Sequence, residues 1–136
     1  MNRHVEALAE EFLGRGHDVR VLAPVDPPGL FSRATHRAAP TTATLPDYLV
    51  PLGRTVGLGA NGAVSNLTVT PVGGYVRPRH EVRAGEFDVV HVHEPLAPLV
   101  GWNAVLGART PVVGTFHAYS TKAFPNYAAT AFGARR

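Results

Sequence analysis

Short apolar segments of strand character alternate along this chain with segments of helical period, and that alternation restricts the fold more than any other feature. Residues 87–93, FDVVHVH, read as a buried strand. LAPLVGWNAVLGA, 96–108, reads as a helix, PVVGTFH, 111–117, as another strand, and the tail from Lys122 as a further helix. Near the amino terminus, residues 3–13 place Val5, Leu8, Ala9, Phe12 and Leu13 on one apolar stripe, with Glu6, Glu10 and Glu11 largely outside it. The Gly-Arg-Gly run at 14–16 stops this helix. HDVRVLAP follows, and its Val19, Val21, Leu22 and Ala23 form a strand ended by Pro24. Strands alternating with helices imply an α/β fold built on a parallel, doubly wound sheet.

Two stretches interrupt the pattern. Residues 25–44 are rich in proline and threonine, and a structureless loop of about 20 residues is unusual inside a compact domain, so a mobile insertion is expected there. Residues 48–71, YLVPLGRTVGLGANGAVSNLTVTP, read as short strands broken by glycine turns. There is no internal repeat.

A length of 136 residues with 45% hydrophobic content fits one domain, residues 1–136, around one core. The absence of cysteine excludes a disulfide framework and a thiolate zinc site, which makes the cytoplasm the default compartment. No apolar run reaches the roughly 18 residues of a membrane span, and a signal-peptide pattern is lacking. The formal charge is +3. Its basic residues are nearly all arginine, suited to carboxylate or phosphate, and no nucleic-acid motif accompanies them.

In doubly wound sheets ligands collect at the carboxyl ends of strands, where His93, Glu94 and His117 fall. Alternation puts His91 and His93 on one strand face about 6 to 7 Å apart, so a metal pair with His117 as third ligand is sterically allowed. The competing reading makes His91 a hydrogen-bonded core histidine within the valine run, and it is favoured because a bare His-x-His arises readily by chance. Glu94, followed by Pro95, is expected to be a hydrogen-bond acceptor in the loop or a helix-start carboxylate, ahead of any role in proton transfer.

Five segments in a fixed order, HVEALAEEFLGRGHDVRVLAP, LPDYLV, ANGAV, FDVVHVHEPLAP and PVVGTFHAYSTK, resemble the amino-terminal domain of family-4 glycosyltransferases, and actinobacterial members most closely. The resemblance implies a GT-B enzyme, in which two Rossmann-like domains face a cleft. The first binds the acceptor and the second the nucleotide-sugar donor, and the sugar is transferred with retention and without a metal. It identifies His117, after Thr115 and Phe116, with the histidine that reaches the donor sugar, and so with catalysis. His91, His93 and Glu94 fall on the strand that shapes the acceptor side. The acceptor-binding residues implied are Asn61, Gly62, Asn66, His93, Glu94 and Thr115.

Departures from the family pattern bear on the acceptor. Members acting on inositol lipids carry tyrosine, serine and arginine where this chain has Ala60, Ala63 and Asn66. Without that guanidinium and that hydroxyl, an anionic inositol lipid is the poorer fit, and another lipid or a small molecule is expected. Arg77, Arg79 and Arg83 match a basic helix that the family sets against anionic membrane, at the inner face of the plasma membrane. Pro78 interrupts that helix unless it lies in the first turn, and a solvated basic surface is the favoured reading.

The family's own sequence begins with a strand and a glycine-rich loop, whereas this sequence begins at the helix that follows, and the donor domain with its paired glutamates lies outside these 136 residues. The strand concerned occupies the middle of the sheet. A chain of these residues alone is therefore expected to be weakly stable and inactive. Two other functions compete with an acceptor domain: a non-catalytic carbohydrate- or lipid-binding module, and a histidine-based metal hydrolase.

Overall fold

The computed structural model describes residues 3–25, 45–53, 55–60, 63–68, 72–95 and 99–117. The expected mobile insertion, apart from Val25, the Asn61-Gly62 pair and the expected tail helix lie outside the described residues.

The first helix, α1, spans Arg3–Gly14. Its end follows from Gly16, whose φ of 83° suits a residue without Cβ. There the His17 N–H donates to the Phe12 carbonyl at 3.1 Å and the Gly16 N–H to the Leu13 carbonyl at 2.9 Å, which closes the helix as a Schellman turn. The apolar stripe of α1 is less covered than its period suggests. Ala9 is buried, Val5 and Leu8 are half-buried, and Phe12 and Leu13 stay exposed beside the turn.

Strand β1, Val21–Ala23, pairs in parallel with β2, Leu49–Pro51, in the register Val21 to Leu49. Strands β3, Thr55–Ala60, and β4, Ala63–Thr68, form an antiparallel pair, which bears out the reading of short strands around glycine turns. A π-helical turn at Val72–Val76 leads into α2, Arg77–Ala84. Pro78 falls in the first turn of α2, where the missing N–H has no intrahelical partner to lose, so the helix is not broken. Strand β5, Val90–His93, then α3, Val100–Gly107, then β6, Val112–Thr115, complete a β-α-β unit. Its strands are parallel, with Val90 opposite Val112 and His93 opposite Thr115.

The result is a mixed α/β fold of Rossmann-like character. Among the described residues, however, the parallel strands lie in two separate two-stranded sheets rather than one continuous sheet. The core joins the two sheets. Val82 of α2, Val92 of β5 and Ala104 of α3 are its buried centre, with Leu22 of β1, Val90, Val105, Ala108 and Val112 packed against them. This places β1 and β5 on the same core, although each has a strand partner on one side only among the described residues.

Candidate active site

Strands β5 and β6 run in the same direction and end level with each other, so the residues at their carboxyl ends meet. The Glu94 N–H donates to the Thr115 carbonyl at 2.8 Å, one step beyond the last strand pair. The Glu94 carboxylate in turn accepts the backbone N–H of His117 at 2.5 Å. Glu94 is thus the loop hydrogen-bond acceptor that its place before Pro95 suggested.

His93 and His117 are joined side chain to side chain, with His93 Nδ1 2.8 Å from His117 Nε2. Their ring centroids are 5.1 Å apart and their planes within 13° of parallel, so the two rings lie edge to edge in nearly one plane. His91 lies on the same strand face as His93, with ring centroids 4.3 Å apart, and its Nε2 is 2.7 Å from the Thr115 hydroxyl. His91 is hydrogen-bonded as expected of a strand histidine but exposed, because alternation turns it to the open face while Val92 takes the core.

A fourth imidazole comes from a different element. His4, in the first turn of α1, stands edge-on to His93 at 5.7 Å and to His117 at 5.4 Å. No periodicity marks His4. The signal that could have found it is topological, since in a β-α-β arrangement helix amino termini lie at the carboxyl ends of strands.

Crowding governs the charge of this cluster. Burial is the largest cause holding the His93 imidazole down to about 4, followed by the neighbouring His91, His117 and His4, with Glu94 opposing. His91 is lowered for the same reasons, burial first and then His4 and His117. At neutral pH His93 is therefore uncharged, able to donate from one nitrogen and accept at the other.

The nitrogens of His93 and His117 face each other rather than a common ion. Two nitrogens bound tetrahedrally to one zinc stand about 3.3 Å apart, each aimed at the ion. Here His93 Nδ1 and His117 Nε2 are 2.8 Å apart in a hydrogen bond, and among the described residues no three such side chains are placed to hold one ion.

The loop after β5 is held from below. Leu99, at φ 73°, precedes α3, and its carbonyl accepts the side-chain N–H of buried Asn103 at 2.6 Å. Gly101 passes so close beneath the Glu94 carbonyl that an added Cβ would lie 2.7 Å from that oxygen.

The remaining sequence-derived residues lie elsewhere or outside the description. Asn61 and Gly62 are not among the described residues, and Asn66 is opposite Gly57 in the β3–β4 pair. Arg77 donates to the Pro51 carbonyl at 2.8 Å and lies 3.7 Å from Glu81, which ties α2 to β2. Arg79 and Arg83 instead line a concavity of about 440 Å³ with Tyr75, His80 and Arg109.

The whole chain, residues 1–136, matches the glycosyl transferase 4-like domain. It is 39% identical over 119 residues to a phosphatidyl-myo-inositol mannosyltransferase of Mycobacterium leprae, covering 88% of this chain and 28% of that protein. The enzyme of the same name from Mycolicibacterium smegmatis is 37% identical, with 88% and 27% covered. That from Propionibacterium freudenreichii is 32% identical over 117 residues, with 86% and 29% covered. The chain thus spans less than a third of the length of these curated relatives. A family match over its full length, on a fold that brings the strand-end histidines together, makes this chain a member of the glycosyl transferase 4-like domain family.

Proposed function

We propose that these residues form the acceptor-binding half of a retaining glycosyltransferase. It moves a hexosyl group, of the mannosyl type, from a nucleotide-sugar donor held by a second domain to a lipid or small-molecule acceptor. The observation that carries the reading is the fixed position of His117, with its backbone held by Glu94 and its ring by His93 at the open end of the β5–β6 pair. An imidazole held in this way presents one nitrogen to a ligand without having to be ordered on binding, which is how a positioning or charge-stabilising contact gains its effect. Thr115 and His91 occupy each other, so they shape the wall of the site, and Glu94 holds the loop.

The relatives are named for action on phosphatidyl-myo-inositol, which supports a lipid acceptor. Ala60, Ala63 and Asn66 favour a headgroup other than inositol phosphate. A lipid acceptor brings the enzyme to the cytoplasmic face of a membrane as a peripheral protein. Arg79, Arg83 and Arg109, with exposed Tyr75 and Val76, offer a basic and partly apolar edge for that contact. No helix among the described residues is long and apolar enough to cross a membrane.

The test is transfer from a panel of nucleotide sugars to lipid and soluble acceptors by the complete polypeptide carrying residues 1–136, with products identified by mass. Glycosylated product is expected. Binding of acceptor with no turnover of any donor would replace this reading with that of a non-catalytic module.

A further inference from the structure

We propose that His93 is a positioning residue for His117, fixing its ring and tautomer so that Nδ1 is the nitrogen left to meet a ligand. This deepens the glycosyltransferase reading and rests on it for the kinetic half of its test.

His93 Nδ1 and His117 Nε2 are 2.8 Å apart, and one of the two must carry the proton while the other accepts it. In a neutral imidazole only one nitrogen is protonated. The state of His93 therefore dictates that of His117 Nε2, and through it the state of His117 Nδ1. Crowding and burial keep His93 uncharged, so it remains able to accept a proton from a charged His117 or to donate to a neutral one.

Coplanarity supplies the orientation. The two rings lie within 13° of parallel at 5.1 Å, and the His4 ring stands nearly perpendicular to both at 5.4 and 5.7 Å. Rotation of His117 away from this plane would break the hydrogen bond, and His4 flanks the ring at 5.4 Å. His93 itself is set by β5, whose pairing with β6 places it opposite Thr115, two residues before His117. The strand ladder thus defines where the His117 ring stands, with His93 as the intermediary.

His93 Nδ1, rather than Nε2, makes the bond, which gives the substitutions distinct expectations. An asparagine amide reaches about as far as Nδ1, whereas a glutamine amide reaches toward Nε2. His93→Phe keeps an aromatic ring at this position and removes the bond. The probe is ring nitrogen NMR of histidine-labelled protein, using the complete polypeptide that carries these residues, with His117 assigned from His117→Gln and folding checked from backbone amide spectra.

One His117 tautomer is expected in the unsubstituted protein, a mixture in His93→Phe and in His93→Gln, and a single tautomer again in His93→Asn. In transfer assays His93→Phe should lower kcat by about 10²-fold with KM for the donor little changed, the effect of a displaced but present catalytic group, and His93→Asn should recover most of it. An unchanged His117 tautomer in His93→Phe, or an asparagine variant no better than phenylalanine, would overturn the proposal. Absence of transferase activity would count against the glycosyltransferase reading alone, because the tautomer measurement needs no turnover.

Discussion

The Glu94 carboxylate accepts the His117 backbone N–H at 2.5 Å while the Glu94 N–H donates to the Thr115 carbonyl at 2.8 Å, so one residue fastens the end of β5 to β6 at two points. Glu94 does this at φ 55°, a left-handed conformation that costs a residue with Cβ on the order of 1 to 3 kcal/mol and persists where surrounding contacts enforce it. The two bonds to β6 are such contacts. The loop is held in a conformation that the isolated sequence disfavours, and its product is the position of His117.

The floor of that loop is Gly101. Its missing Cβ would stand 2.7 Å from the Glu94 carbonyl oxygen, a backbone atom that moves only if the loop moves. Gly101→Ala is therefore expected to destabilise the fold by about 1 to 3 kcal/mol despite the higher helix propensity of alanine. Urea unfolding of the two proteins checks the sign. An alanine variant as stable as the parent would show that the loop has room to yield.

The histidine cluster predicts a pH dependence with a definite sign. The folded state holds His93 down to about 4, below the 6.5 of an unperturbed imidazole. Between those values the unfolded chain binds more protons, so stability rises with pH across this window. The contribution is full above about pH 6.5 and is lost as the solution is acidified toward pH 4. His91 acts in the same direction. The groups facing His93 are His4, His91, His117 and Glu94, and Glu94 opposes the shift. Thermal unfolding between pH 4 and 7 should show a Tm that falls on acidification, with a shallower fall in His93→Phe. Equal slopes in the two proteins would contradict this account.

Much of the architecture was legible because periodicity reports which face of an element is buried. The helix at 3–13 appears at full length, and the strands at FDVVHVH and PVVGTFH and the helix between them appear shortened at their ends. Val92 is in the core and its neighbours His91 and His93 are on the opposite face, as alternation requires. The His4 contact was not legible, because it joins residues some 90 positions apart and depends on where α1 begins relative to β5. Nor was the role of Arg77, whose bond to the Pro51 carbonyl joins residues 26 positions apart. Covering of the α1 stripe was overread: a helical period marks an apolar face, but Phe12 and Leu13 remain exposed beside the terminal turn.

Position 66 bears on the choice of acceptor. If Asn66 has taken the place of a phosphate-binding arginine, the unsubstituted enzyme should use phosphatidylinositol poorly, and Asn66→Arg should tighten binding of inositol phosphate. A charge-assisted contact is worth roughly 1.5 to 3 kcal/mol, or about ten- to a hundredfold in Kd. Calorimetric titration with inositol phosphate reads the change directly. Efficient glycosylation of phosphatidylinositol by the unsubstituted enzyme would contradict this choice of headgroup.

His117 is the residue on which the account depends, and the most direct measurement is the transfer rate of His117→Ala in the complete polypeptide, with folding checked by its thermal transition. A loss of about 10² to 10⁴ in kcat/KM, with the transition retained, is the expected result for a contact made to the reacting sugar. A folded variant that keeps most of its turnover would contradict the assignment of transfer to this site.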